Sequence, residues 1–322
     1  MSVFSQAFPP SPTFTEKDLH DQTGKVTLIT GAASGVGLAL AHILYSLNGT
    51  IYIAARSASR CSSAISTILK AYPLSKGRLE PLVLDLADLE TVKKAAAAFV
   101  DERLHVLVHN AGVMMTPEGE RTKNGHDLEM GTNCLGPYLL SVLLEPVMRR
   151  TAVAEKAADT SSVRVVWVSS MIAANAPKGG VVMEAGRPTE KFKKMERYMQ
   201  TKAGVVLLAS EFAKKLGGEG IISVSINPGL IRTELQRHVS AVERRIMHMV
   251  FKEAKFGAYT ELYAGFSPDV TTADNGRFCI PWGRKGEIPA HMRESLKSNM
   301  EGGTGVSKQF FDWCDAETRE FM

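Results

Sequence analysis

No apolar run in the 322 residues approaches the roughly 20 that a membrane-spanning helix needs. The opening stretch, "MSVFSQAFPPSPTFTEKDLHDQTGK", lacks the apolar centre of a secretory signal and reads as a loose extension with a Pro-rich bend. Cysteine is scarce. Cys61, Cys134, Cys279 and Cys314 lie far apart with no metal or redox spacing, as expected of a reduced intracellular protein. His105 and His109 bracket "HVLVH", but that run alternates like a strand, which would set the rings about 13 Å apart. One metal ion does not bridge that gap, so no metal is expected. Long blocks of one charge are also missing: the net charge is +4, and the most basic patch, "TEKFKKMER", carries two glutamates. A solvated helix face explains that patch better than a nucleic-acid surface. With membrane, secreted, metal-centred and nucleic-acid classes set aside, the 44% hydrophobic and 22% charged composition leaves an ordinary globular chain, expected in the cytoplasm.

What is present is a rhythm. Short β-branched runs, "KVTLIT" (25–30), "TIYIAA" (50–55), "LEPLVL" (79–84), "LHVLVH" (104–109), "VRVVWVS" (163–169), "IISVSI" (221–226) and "RFCIPW" (277–282), alternate with amphipathic stretches. Among the latter are helices expected near 124–149 and 190–216. Apolar strands separated by helices require a mostly parallel sheet covered on both faces. The expectation is one doubly wound α/β domain of seven strands over residues 25–287, after an extension at 1–24 and before a peripheral helical tail at 288–322. Residues 231–275 interrupt the rhythm and are expected to border a substrate.

In such sheets ligands bind beyond the carboxyl ends of the strands. The first strand runs into "TGAASGVG", whose Gly31, Gly35 and Gly37 allow a tight turn and a close approach of backbone N–H groups to a pyrophosphate. The second ends "IAARS". Where an NAD-specific site carries an acid this chain has Ala55, followed by Arg56 and Ser57, which suit a 2′-phosphate and favour NADP. The third places Asp85 where an adenine amino group could bind, and Asp88 as a helix N-cap. The fourth leads into "NAGVM", Asn110 to Met114; the fifth ends at Ser169 and Ser170; the sixth ends "NPGLIRT", Asn227 to Thr233.

Together with "YMQTK", these motifs in this order resemble the short-chain dehydrogenase/reductase family, with a Rossmann-type fold, over residues 25 to 235. "NGHDLEMGTNCLGPYLL" is similar to the retinol-dehydrogenase-like and WW-domain-oxidoreductase-like branch, and "PTFTEKDLHDQTGKV" to filamentous-fungal members, many of them acting in secondary metabolism. The resemblance implies NADP(H) held by Gly31, Ser34, Gly35, Val36, Gly37, Arg56, Ser57, Asp85, Leu86, Asn110, Ala111, Gly112, Tyr198, Lys202, Pro228, Gly229, Ile231 and Thr233. It implies catalysis by Asn133, Ser170, Tyr198 and Lys202. Tyr198 would exchange a proton with the substrate oxygen, its pKa lowered by the Lys202 ammonium and by oxidised nicotinamide. Lys202 would also hold the nicotinamide ribose, Ser170 would steady the substrate oxygen with Ser169 as its competitor, and Asn133 would help hold a relay water.

One spacing departs from the family pattern: 28 residues separate Ser170 from Tyr198, about twice the common gap. The excess reads as a surface excursion able to reshape the substrate mouth. Met114, Met115, Met247, Met249 and Phe251 suit an apolar or polycyclic ligand or, equally, plain core packing, while Arg232 and Arg237 suit a carboxylate or a solvated loop. The expected activity is interconversion of a ketone or aldehyde and an alcohol. Its rivals are an isomerase, epimerase or cyclase without net redox, and a non-enzymatic NADP sensor. A homodimer paired through the helices at 124–149 and 190–216 is expected.

Overall fold

The structure, a computed structural model, describes residues 3–157, 163–232 and 251–322. Seven parallel strands form where the β-branched runs lie: β1 (Val26–Thr30), β2 (Thr50–Ala55), β3 (Arg78–Val83), β4 (Val106–His109), β5 (Val163–Val168), β6 (Ile221–Ile226) and β7 (Phe278–Ile280). An eighth, β8 (Arg284–Lys285), pairs antiparallel with β7 and was not legible, being two charged residues long. The order is β8-β7-β6-β5-β4-β1-β2-β3, so the winding reverses between β1 and β4. A crevice opens there at the carboxyl ends.

β1, β4, β5 and β6 are buried from end to end, as strands covered on both faces must be. β3 departs from the expected apolar burial. It is the sheet edge, only Leu82 in it is buried, and Pro81 stands where an edge strand tolerates a missing N–H. One layer holds α1 (Gly35–Ser46), α2 (Ala58–Ala71) and α6 (Ala254–Phe266) against Ile29, Ile53 and Val224. The other holds α3 (Leu89–Ala97), α4 (Gly136–Ala157) and α5 (Lys194–Leu216) against Leu28, Leu107 and Trp167.

Three features differ from the sequence reading. The helix expected from residue 124 begins at Leu128 and passes through a π-helical turn, Gly131–Leu135, before α4. The C-terminal tail is not peripheral: its helix α7 (Val306–Thr318) lies on α5 and α4, with Phe310 and Cys314 fully buried. Nor is the N-terminal extension loose, because Phe14 is buried against Tyr263, Thr13 Oγ1 donates to Gly283 O at 2.7 Å and Arg284 reaches Ser5 O at 2.6 Å.

Candidate active site

A cleft of about 1170 Å³ occupies the crevice at the winding reversal. Its near wall is the turn from β1 into α1. Gly31 and Gly35 take φ of 70° and 57°, conformations that side chains disfavour. A Cβ on Gly37 would stand 2.5 Å from Asn110 Nδ2, which itself donates to Thr30 O at 2.8 Å. Ala111 N donates to Thr30 Oγ1 at 3.0 Å, so the "NAG" turn after β4 and the glycine turn after β1 lock each other. Ser34, the N-cap of α1, places no side-chain hydrogen bond on the helix, which leaves the first-turn N–H groups facing the cleft for an anion.

Beyond β2, Ala55 and Arg56 line the cleft, joined by Arg60, which the sequence reading missed. Its signal was proximity in sequence: Arg60 lies in the first turn of α2, just past the N-cap Ser57 that follows Arg56. Ser57 is not a lining residue; its hydroxyl caps α2, accepting from Arg60 N at 3.4 Å. Asp85 and Leu86 line the cleft beyond β3, and Asp85 Oδ1 accepts from Ala87 N at 3.0 Å. Asp88 caps α3 as its position indicated. Asn110, Ala111, Gly112, Pro228, Gly229 and Ile231 line it too, whereas Gly37 packs behind. Gly229 is required by its φ of 88°, and its N donates to Asn227 Oδ1 at 3.0 Å. Thr233, Arg237, Met247 and Met249 lie outside the described residues. A glycine cradle, free helix N–H groups and two guanidinium groups fit a nicotinamide dinucleotide.

Tyr198 and Lys202, one turn apart on α5, are buried at the far end, beside Ser170. The serines separate cleanly. Ser169 Oγ donates to Lys202 O at 2.6 Å and is committed to the backbone. Ser170 Oγ, half-buried, accepts from Ile172 N at 3.3 Å and keeps its proton for a ligand. Lys202 Nζ donates to Val168 O at 2.9 Å and lies 5.8 Å from the Tyr198 ring centre. Burial pushes its ammonium down to about 8, against the opposing pull of Cys134 and Glu129. Burial, and secondarily the Glu129 carboxyl, push the Tyr198 phenol up rather than down. The lowering expected from Lys202 alone is therefore absent, because its ammonium is turned toward Val168.

Asn133 sits in the π turn with every contact inside the protein. Its Oδ1 accepts from Val113 N at 2.9 Å, and its Nδ2 donates to Val113 O and to Thr201 Oγ1, both at 3.0 Å. It stands behind the lining rather than in it. The substrate-side wall is rich in methionine, with Met114, Met115, Met171, Met195 and Met199 joined by Phe251. Arg232 is exposed and outside the lining. Residues 176–194 do not line the cleft either. They form a hairpin, Met183–Glu184 with Arg187–Pro188, pinned by Gln200, which accepts from Val182 N and donates to Thr189 O at 3.0 Å each. The excursion thus docks on α5 and reaches the mouth only at its two ends, through Asn175 and Met195. Among the described residues no cluster suits a metal: His105 pairs with Glu155 and His109 with Ser141.

Residues 25–244 match the family model described as short chain dehydrogenase. Over its full length the chain is 40% identical to the short-chain dehydrogenase/reductase bet4 of Neocamarosporium betae, spanning 94% of that protein. It is 37% identical to the short-chain dehydrogenase/reductase pkfC of Emericella nidulans, over 97% of this chain and 98% of the relative. A crystal structure of a protein from Mycobacterium Paratuberculosis superposes with a TM-score of 0.68, covering 96% of this chain and 98% of its own. At 24% identity that likeness is one of fold.

Proposed function

Since the chain belongs to the short-chain dehydrogenase/reductase family, we propose that it is an NADP(H)-dependent oxidoreductase that interconverts a ketone or aldehyde and an alcohol on a small apolar substrate. Polycyclic secondary metabolites are the class its methionine-rich wall suits best. One observation carries the reading: a single cleft has Ser170 and Tyr198 at one end and Arg56 and Arg60 at the other.

Arg56 and Arg60 would clasp a 2′-phosphate, and Ala55 offers no carboxylate to repel it. The α1 N-terminus would hold the pyrophosphate, while the turn at Pro228–Ile231 and Gly112 leave room for a flat ring. Bound there, the nicotinamide supplies or accepts the hydride. In reduction Ser170 Oγ donates to the substrate oxygen and stabilises its growing negative charge. Tyr198 Oη delivers the proton that completes the hydroxyl, and the phenolate left behind would be stabilised once the Lys202 ammonium, held at Val168 O in this structure, turns toward it. Asn133 keeps the segment after β4 in place through Val113.

Among the described residues no helix is long and apolar enough to cross a membrane. A homodimer would need a surface other than α4 and α5, because α7 lies across them. The test is calorimetric titration of the purified protein with NADPH and NADH, followed by NADPH consumption with a panel of apolar ketones. Tighter binding of NADPH and its oxidation by at least one ketone are expected. Failure to bind either nucleotide would refute the reading, and product formation without net NADPH loss would move it to a redox-neutral isomerase.

A further inference from the structure

After β4 the chain runs through Val113, Met114, Met115 and Thr116 along the substrate side of the cleft. Met115 holds a φ of 52°, a left-handed conformation that a non-glycine residue keeps only where its neighbours enforce it. Two clasps flank it. Val113 shares a pair of hydrogen bonds with Asn133, and Thr116 N donates to Glu129 Oε1 at 2.8 Å. Glu129 and Asn133 stand four residues apart on one helical stretch, so a single support grips both ends of the strap.

Glu129 is fully buried, and its Oε2 has no hydrogen-bond partner. A buried carboxylate in that state would be costly to leave charged, and burial accordingly raises its pKa, with Asp127 adding to the rise. Asp127 is itself held by Arg197 at 3.3 Å, next to Tyr198. The support of the strap is therefore tied to the helix that carries the phenol.

We infer that Glu129 is a positioning residue that fixes the Met114–Met115 wall and so sets the fit of apolar substrates. Its effect on substrates rests on the proposed reductase activity; the clasp itself does not. Only Oε1 serves the clasp, so an amide at this position keeps it, with its NH2 group where the unpartnered Oε2 lies. Glu129→Gln is therefore the conservative partner of Glu129→Met, which keeps the length and removes the acceptor.

The test uses the full chain with NADPH. Hydrogen exchange of the peptide spanning 113–116 is followed by mass spectrometry, and kinetics are measured with 2-tetralone as a bulky probe and cyclohexanone as a small one. In Glu129→Met the strap should exchange about tenfold faster. The KM for 2-tetralone should rise about tenfold, with kcat within about threefold of wild type and the NADPH Kd unchanged. Glu129→Gln should match wild type in all of these. Should the methionine variant fail to fold, Glu129→Leu is read in the same way. Unchanged strap exchange in the apolar variant overturns the inference, as does a fall in kcat at constant KM or a glutamine variant as impaired as the methionine one. Wild type that reduces neither ketone yet shows this exchange pattern counts against the reductase reading and supports the clasp.

Discussion

Arg56 and Arg60 offer the most direct quantitative test of cofactor choice. Both line the cleft beyond β2, Arg56 just before α2 and Arg60 in its first turn, and Arg56 is exposed to water. A hydrogen bond between charged partners contributes about 1.5–3 kcal/mol, and solvent access at Arg56 argues for the lower end. Arg56→Ala should therefore weaken NADPH binding about tenfold, since 1.4 kcal/mol is one decade. Arg56→Ala with Arg60→Ala removes two such contacts, about 3 kcal/mol, and should weaken it about 150-fold. NADH lacks the phosphate, so its Kd should move less than about threefold in either variant. Titrating both nucleotides at low and moderate salt reads the ratio directly, and the preference should shrink as salt screens the exposed charge. Equal losses for NADPH and NADH would mean that the arginines hold α2 in place rather than read a phosphate, and the argument would fail.

Tyr198→Phe should reduce turnover by at least about a hundredfold while leaving the NADPH Kd within about twofold, because only the proton-bearing oxygen is removed; stopped-flow turnover beside titration checks both halves. His109 is buried against Trp167, its Nε2 bonded to Ser141 and its Nδ1 unpartnered, and burial pushes its pKa down to about 3. A folded pKa below the unfolded value stabilises the protein above about pH 6.5 and loses that contribution as pH falls toward 3, by up to about 1.4 kcal/mol per unit. Urea melts at pH 7 and pH 5 should show that slope, and His109→Asn should flatten it. Phe310→Ala removes a ring buried against Gly204 and should cost about 3–5 kcal/mol in denaturant unfolding.

Much of the fold was legible because its strands are continuous β-branched runs, and burial on both faces demands that composition. The glycine turn and the Tyr198–Lys202 pair were legible for a related reason: their residue types at those spacings have few other uses together. The rest depended on facts that periodicity does not carry. β3 reads as apolar in "LEPLVL", yet its place at the edge exposes Val83, and only the strand order decides that. Ser57 follows Arg56 in sequence, but the start of α2 turns its hydroxyl back to Arg60 N. Lys202 stands one turn from Tyr198 on any helix; that its ammonium aims at Val168 O depends on how β5 meets α5. Glu129 is one of several charged residues in "HDLEMG", and nothing in that spacing marks it as the buried one that holds Thr116 N. The tail's role was hidden because Phe310 and Cys314 sit among charged residues, and their pocket is made by residues more than a hundred positions away.

The two ends of the sheet carry a consequence for behaviour in concentrated solution. At one end β8 is two residues long and runs against its neighbours. At the other, β3 has Pro81 at its middle and Arg78 bound to Glu80 and Asp101. Neither margin offers a second chain an uninterrupted ladder of free amides and carbonyls. Copies that crowd together thus meet side chain to side chain, and growth of a ribbon-like aggregate from the native state is blocked at its first step.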